Sequence, residues 1–270
     1  MSEQPLSVKV YIDDITNIEK VCHMNSVSTT CQEKRKVLAH AQKSERNFCA
    51  TKKLAESVKM SVNDAKTQLL CISGNNDNDI NTYIRTSDTN EVQGSDRLKL
   101  LGFWFGRRPN ADIHVEQISS KFRSRLWALR HLKRSGMPEV DLLKIYETMI
   151  RPVLDFASPT YHPLLSISQT KQLEALQKRA AKIIFGFGMS YGDVISTGKM
   201  ELLENRRSRL CLSFAQKAAA NPRFASWFPK KKQTDYSTRN PELYQIDKHR
   251  TERMKRNPVT YMRYELNRIR

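Results

Sequence analysis

The chain has 270 residues, of which 46 are Lys or Arg and 28 are Asp or Glu, so that its formal net charge is +18. No apolar stretch approaches the ~20 residues that a helix needs to span a bilayer, and the N-terminus lacks the basic flank and apolar centre of a signal peptide. The five cysteines form no Cys-x-x-Cys pair. These features exclude a membrane or secreted class, and we expect a soluble intracellular protein, nuclear or cytoplasmic, with no membrane partner.

The first predicted element is a strand at residues 8–12, in which apolar residues alternate with Lys9 and Tyr11. Asp13 and Asp14 follow it directly. Alternation places Asp13 on the face of Lys9 and Tyr11 and leaves Asp14 to the turn. Paired carboxylates are ligands that Mg²⁺ accepts together with phosphate oxygens. Asp13 and Asp14 are therefore candidate catalytic and metal-binding residues, and the alternative is a solvated turn.

The rest of the first 110 residues predicts a small sheet with a covering helix. An amphipathic helix is expected at residues 33–60, with strands at 66–73, near 83–85 and at 98–105. Strands mixed with one long helix indicate an α+β fold with a short antiparallel sheet.

Residues 112–219 have helical periodicity throughout. The first helix, at 112–135, should bury a stripe formed by Val115, Ile118, Phe122, Leu126 and Leu129. Arg123, Trp127 and Arg130 share a neighbouring face, where guanidinium groups could bind phosphates and an indole could stack on a base. Trp127 could equally belong to the core. We favour the core for Trp127 and a nucleic-acid contact for the two arginines.

Three further predictions concern the segments that follow this helix. A second helix should run from Pro138 to Ile150 with Leu142, Ile145, Tyr146 and Met149 inward, and residues 154–163 should form a connector because they contain two prolines. A third helix should begin at Ser166, whose spacing to Gln169 is that of a capping box.

Basic residues line two of the later helices. Lys171, Lys178 and Lys182 occupy one face of the third helix, which could follow a phosphate backbone or could simply be solvated. In the last helix, at 201–219, Arg206 and Arg207 are further candidate nucleic-acid contacts.

Charge is distributed unevenly along the chain. Residues 1–100 hold 14 basic and 13 acidic residues (net +1), residues 101–219 hold 19 and 10 (net +9), and residues 220–270 hold 13 and 5 (net +8). Positive charge away from the acidic pair favours a nucleic-acid partner. Residues 220–270 lack sustained periodicity, and we expect a basic, loosely folded tail.

The order of these features resembles the C-terminal part of a reverse transcriptase from a non-LTR (LINE-type) retrotransposon. The landmarks are Tyr11-Ile12-Asp13-Asp14, Asn63-Asp64-Ala65-Lys66-Thr67 and Leu98-Lys99-Leu100-Leu101-Gly102-Phe103, followed by helical segments. The resemblance runs from about Val8 to about Phe228. It implies the end of a polymerase palm at 1–110, a helical thumb and post-thumb region at 111–219, and the basic tail at 220–270.

The resemblance also implies a chemistry and a set of partners. The activity would be RNA-directed DNA polymerisation, a nucleotidyl transfer with Mg²⁺ on Asp13 and Asp14, with an RNA template and DNA primer or an RNA/DNA duplex as partner. Lys66 would lie near the nucleotide phosphates, and Leu101 and Gly102 in a primer-grip hairpin. The upstream catalytic aspartate and fingers of the family have no counterpart here, so we expect a truncated fragment that is inactive alone. The alternatives are a noncatalytic RNA- or DNA-binding module and an expressed retroelement remnant.

Overall fold

The computed structural model divides the chain into two compact units, residues 1–100 with 106–109 and residues 101–105 with 110–270. The structure describes residues 9–10, 15–16, 45–63, 66–70, 72, 83–85, 91–231, 243–246, 248 and 251–269.

Short strands and one helix make up the described part of the first unit. β1 (Lys9–Val10) pairs antiparallel with β2 (Ile15–Thr16), with Val10 opposite Ile15. β3 (Tyr83–Arg85) pairs antiparallel with β4 (Glu91–Gln93), with Ile84 opposite Val92. β5 (Arg97–Leu100) also belongs to this unit, whereas residues 103–105 of the next strand, β6 (Phe103–Gly106), belong to the second unit. The coarse expectation of an α+β chain with antiparallel strands is confirmed.

Three predictions for the first 110 residues differ from the structure. The single strand predicted at 98–105 is two strands, β5 and β6, because Leu101 and Gly102 form a turn between them. The predicted helix is present in its described part as α1 (45–57), which buries Phe48, Thr51 and Ala55 on one side. The predicted strand at 66–73 is wrong for its described residues, since Leu69 forms only an isolated bridge with Gly94. A local turn explains the difference, because the Thr67 hydroxyl donates to the backbone oxygen four residues earlier and competes with strand pairing.

Apart from most of β6, the described part of the second unit is built from helices. In chain order they are α2 (Asp112–Arg134), α3 (Glu139–Ile145), a π-helical turn (Tyr146–Ile150), α4 (Pro152–Asp155), α5 (Ser158–Tyr161), a 3₁₀ turn (His162–Leu164), α6 (Ile167–Phe185), α7 (Tyr191–Ser196), α8 (Leu203–Ala220), a second 3₁₀ turn (Pro222–Trp227), α9 (Glu252–Lys255) and α10 (Pro258–Arg268).

The core of this unit lies between α2, α6 and the π-helical turn. The apolar stripe predicted for α2 is buried at all five positions, Val115, Ile118, Phe122, Leu126 and Leu129. The Tyr146 hydroxyl donates to Gln177 Oε1 at 2.6 Å, so its polar atom is satisfied inside the core. The capping box predicted at Ser166 and Gln169 is confirmed.

Helices α2 and α6 lie side by side and run in the same direction. At their first turns, Gln169 Nε2 donates to Asp112 Oδ1 at 2.6 Å. At their last turns, Lys133 Nζ donates to the Ile184 carbonyl oxygen at 2.9 Å. Because the first turns of the two helices contact each other and the last turns do so too, the C-terminal halves of both helices are adjacent. Lys133 also supplies a donor for a carbonyl that has no partner within its own helix.

The π-helical turn changes which residues face the core. The Arg151 backbone N–H donates to the Tyr146 carbonyl oxygen at 2.8 Å, five residues back instead of four. Ile150 is therefore buried at 3% exposure, whereas Met149 is 63% exposed. The prediction of an inward Met149 is wrong because it assumed an unbroken α-helical period.

The predicted connector at 154–163 is also wrong, since the segment is helical and largely buried. Pro152 begins α4 at its first position, and Pro159 lies in the first turn of α5, where the missing N–H costs no hydrogen bond. The Tyr161 hydroxyl donates to the Leu154 carbonyl oxygen, which ties the two short helices together. Ala157 makes the turn between them with a φ of 57°.

The loosely folded tail is contradicted for its described residues. Helix α10 packs on α8, and Ala215, Ala218, Phe228 and Met262 form a second buried cluster. Arg263 Nε donates to the Trp227 carbonyl oxygen at 2.6 Å. Sequence periodicity missed this packing because prolines and basic residues separate the apolar positions. Across the described helices, none combines the length and apolar character needed to cross a bilayer.

Candidate nucleic-acid interface

The structure describes only one of the three residues that the resemblance assigns to catalysis. Asp13 and Asp14 lie outside the described residues. Lys66 is exposed in a short turn, and its backbone N–H donates to Asn63 Oδ1 at 3.3 Å. The described part of the chain contains no cluster of three or more His, Cys, Asp or Glu side chains that could hold a metal ion. The structure therefore supplies no geometry for the proposed Mg²⁺ site.

Leu101 and Gly102 form a tight turn before β6. Their φ angles are 48° and 83°, the left-handed pair that a two-residue type I′ hairpin turn requires. A Cβ on Gly102 would lie 3.1 Å from Phe156 Cζ, so a side chain there would be strained by the backbone angle and crowded by the Phe156 ring. The glycine thus has a structural reason within the second unit, and the predicted primer contact stays a prediction.

One face of α2 presents a basic stripe with an aromatic residue at its centre. At 100° per residue Arg123, Trp127, Arg130 and Arg134 fall on one side of the helix, and all four are exposed. Trp127 is 67% exposed and its indole ring is stacked on His131. The core position that we favoured for Trp127 is therefore wrong, because the buried stripe occupies a different side of α2. The exposure that the contact prediction required for Arg123 and Arg130 is present.

The lysines predicted to line α6 are exposed as well. Lys171, Lys178 and Lys182 all reach solvent. Lys182 Nζ lies 4.5 Å from the centroid of the exposed Phe187 ring, and Lys178 Nζ lies 5.4 Å from that of Tyr191. Cation–π contacts of this kind hold the ammonium groups near the surface without neutralising their charge.

The adjacent C-terminal halves of α2 and α6 carry no carboxylate. From Gln117 to Pro138 the sequence has no Asp or Glu, and its basic residues are Lys121, Arg123, Arg125, Arg130, Lys133 and Arg134. From Ala175 to Gly192 it again has no Asp or Glu, and its basic residues are Lys178, Arg179 and Lys182. Because the two helices are parallel, these runs lie beside each other. We call the exposed residues Arg123, Trp127, Arg130, Arg134, Lys178, Arg179 and Lys182 the basic face.

Arg206 and Arg207 differ from the prediction. Arg206 Nε donates to Asp155 Oδ2 at 2.7 Å, and Arg207 is completely buried. A side chain with no solvent exposure cannot reach a phosphate in this conformation, so the predicted contact is wrong for Arg207. Arg206 is engaged within the unit, where Asp155 already supplies its anion.

Arg207 lies in a buried polar cluster with His162. Arg207 Nε donates to His162 Nδ1 at 3.4 Å, while Ser208 Oγ and the Tyr261 hydroxyl lie 3.1 and 3.3 Å from His162 Nε2. Burial first, and the Arg207 charge second, lower the pKa of His162 to about 4. In a Ser–His–Asp triad a carboxylate at Nδ1 stabilises the imidazolium that forms when the histidine accepts a proton. Here an arginine occupies that position and disfavours the imidazolium, so the cluster suits a structural role.

Comparisons of this chain with known protein families, curated proteins and solved structures found no match. The functional argument therefore stands on the geometry above and on the motifs in the sequence. Sequence reasoning missed Arg134 and Arg179 as members of the basic face, although the two runs without carboxylates were a usable signal.

Proposed function

We propose that the helical unit binds the phosphate backbone of a nucleic acid, in the manner that its resemblance to a reverse transcriptase thumb implies. One observation carries the proposal: two parallel helices place their carboxylate-free halves side by side and expose arginines and lysines there. Residues 101–270 as a whole hold 32 basic and 15 acidic residues, a net charge of +17. The partner of the helical unit would be an RNA/DNA duplex or RNA.

The chemistry of the basic face suits phosphate. Guanidinium groups form paired hydrogen bonds to phosphate oxygens, and each neutralised phosphate releases condensed counterions. A face without carboxylates avoids repulsion between protein anions and the phosphates. Since backbone contacts carry little base information, we expect weak dependence on sequence and strong dependence on salt.

The test is fluorescence anisotropy with a labelled RNA/DNA duplex across a salt series. We expect the double variant Arg123→Glu/Arg130→Glu to bind more weakly and to lower the log–log salt slope by about 0.9 per lost phosphate contact. The matched control is Lys121→Glu/Lys217→Glu, which removes the same net charge from exposed positions away from the basic face. Equal losses in both double variants, or no salt dependence in the wild type, would refute the proposed interface.

A second candidate function is Mg²⁺-dependent RNA-directed DNA synthesis, which is favoured by the tight Leu101-Gly102 turn at the expected place for a primer grip. Asp13 and Asp14 would hold Mg²⁺, which would supply charge neutralisation of nucleotide phosphates, and Lys66 would act beside them. Primer extension on an RNA template that Asp13→Ala abolishes would establish the activity, and its absence in the wild-type chain would count against it.

A further inference from the structure

Trp127 has an environment that is unusual for an exposed aromatic residue. Its ring lies parallel to the His131 imidazole, with centroids 5.5 Å apart and planes 10° apart. Arg123, Arg130 and Arg134 are four residues before, three after and seven after it, so cations surround the indole on the same helix face. Most of the ring remains in solvent.

The surroundings of Trp127 do not suit an apolar protein partner. A groove that receives a helix or strand needs a contiguous apolar patch. Within α2, which the structure describes completely, no other large hydrophobic side chain is exposed. The neighbours of the indole on its own face are charged, and both Ser124, three residues before it, and Ala128, the next residue, are small. An aromatic plane among cations suits a ligand that is both flat and anionic.

We infer that the stacked Trp127–His131 pair, called the stacking platform here, binds an unpaired nucleobase while Arg123 and Arg130 bind the flanking phosphates. This inference rests on the proposed nucleic-acid function and narrows its substrate to RNA or DNA with a single-stranded segment. Every base has a π-face, so the contact tolerates any sequence. Bases inside a blunt duplex are already stacked and paired, and their faces cannot reach the indole without unstacking.

The geometry also explains the role of His131. Side chains four residues apart on a helix are neighbours, and stacking on the imidazole restricts the orientation of the indole. A ring that is already oriented loses less conformational entropy when a base stacks on its open side. His131 is thus a positioning residue, whereas Trp127 makes the contact.

The experiment measures binding of the full chain to a labelled 20-nucleotide RNA, alone and annealed to complementary DNA as a blunt duplex. We expect Trp127→Ala to weaken binding of the single strand about tenfold and to leave the blunt duplex within about twofold. Trp127→Phe should retain most of the single-strand affinity, because a phenyl ring still stacks. Ile167→Ala, at another exposed apolar residue, is the control and should change neither affinity.

The outcomes separate this inference from the proposed function. If the wild type binds neither probe with salt dependence, the proposed function itself fails. If the wild type binds both but Trp127→Ala has no effect, or weakens both equally, the stacking platform is refuted and backbone binding stands. Intrinsic fluorescence provides a second readout, since the single strand should quench wild-type emission more than that of Trp127→Phe. Equal quenching would also refute stacking on Trp127. Circular dichroism at matched concentration confirms that each variant is folded.

Discussion

Arg123 of α2 and Arg207 of α8 each begin the sequence Arg-Ser-Arg-Leu, but the arginines of the two helices have opposite environments. Arg123 and Arg130 extend into solvent from a helix half without carboxylates, whereas Arg206 binds Asp155 and Arg207 is buried against His162. A cluster of arginines in a basic chain therefore has two uses. The exposed arginines are available to an external anion, whereas Arg206 joins two helices through an internal carboxylate.

The number of available carboxylates separates the two regions. Asp155 accepts from Arg206 and lies 3.8 Å from Arg151, and Glu201 Oε2 lies 2.6 Å from Arg209 Nη2. No comparable acid follows Gln117 on α2. Partners inside the protein, more than the count of basic residues, decide which cations are free to meet a phosphate.

The largest effect that would test this contrast comes from Asp155→Ala. The partly buried Arg206 would lose the carboxylate that its Nε binds, and Arg151 would keep only Glu147, so we expect unfolding free energy to fall by about 3 kcal/mol. Urea unfolding followed by circular dichroism measures the loss. Asp141→Ala is the matched control, because its pair with Lys144 is solvated, and it should cost less than about 1 kcal/mol. Similar costs for both variants would mean that the α8 arginines do not depend on internal pairing.

The second largest expected effect is a loss of unfolding free energy on acidification, caused by His162 beside α8. His162 has a pKa of about 4 in the folded chain, below its ordinary value of 6.5. Between these values the unfolded chain binds a proton that the folded chain does not. The stability from neutral His162 is therefore complete above pH 6.5 and is lost as pH falls toward 4.

The magnitude follows from the size of this shift. Between pH 7 and pH 4.5 we expect His162 to account for a loss of about 2–3 kcal/mol in unfolding free energy. Urea unfolding of wild type and His162→Gln at the two pH values isolates this share, since other titrating groups are common to both proteins. Parallel pH dependences would show that His162 is not held neutral.

The smallest expected effect comes from Arg207→Met. The Nη1 and Nη2 atoms of Arg207 are buried and have no hydrogen-bond partner among the described residues. An apolar side chain of similar length should leave stability unchanged or raise it by about 1 kcal/mol, without altering duplex affinity. Arg130→Met should do the reverse, weakening duplex binding while leaving stability unchanged. Loss of binding in a folded Arg207→Met protein would show that α8 contacts the ligand after all.

The sequence predicted those parts of the helical unit in which periodicity is unbroken. The stripe of α2 and the capping box at Ser166 depend on local spacing, and both are present. Which residues after Ile145 face the core could not be predicted, since the π-helical turn, with one extra residue, has no signal in the spacing of apolar residues. The connector predicted at 154–163 is helical because a proline can start a helix as well as end one, and Pro159 lies in the first turn of α5.

In the candidate site, residue type and helical position predict different environments for Trp127 and Arg207. Trp127 was assigned to the core as a large aromatic, although its angle on the helix lies away from the apolar stripe. Arg207 was assigned to the surface as a cation, although it falls in step with Leu203, Cys211 and Ala215, which are all buried. Helical position was the better guide in both cases. The parallel pairing of α2 with α6 could not be predicted from local spacing at all.

That pairing has a consequence for how the chain folds. The contacts between Gln169 and Asp112 and between Lys133 and Ile184 join positions 57 and 51 residues apart. Closing so large a loop costs entropy before the contacts repay it, so local contacts in the intervening helices should form earlier. An isolated peptide of α2 or α6 would contain only its own residues of the basic face, without the neighbouring helix that supplies the others. The complete basic face proposed to bind nucleic acid should therefore arise late in folding, only after α6 has been synthesised.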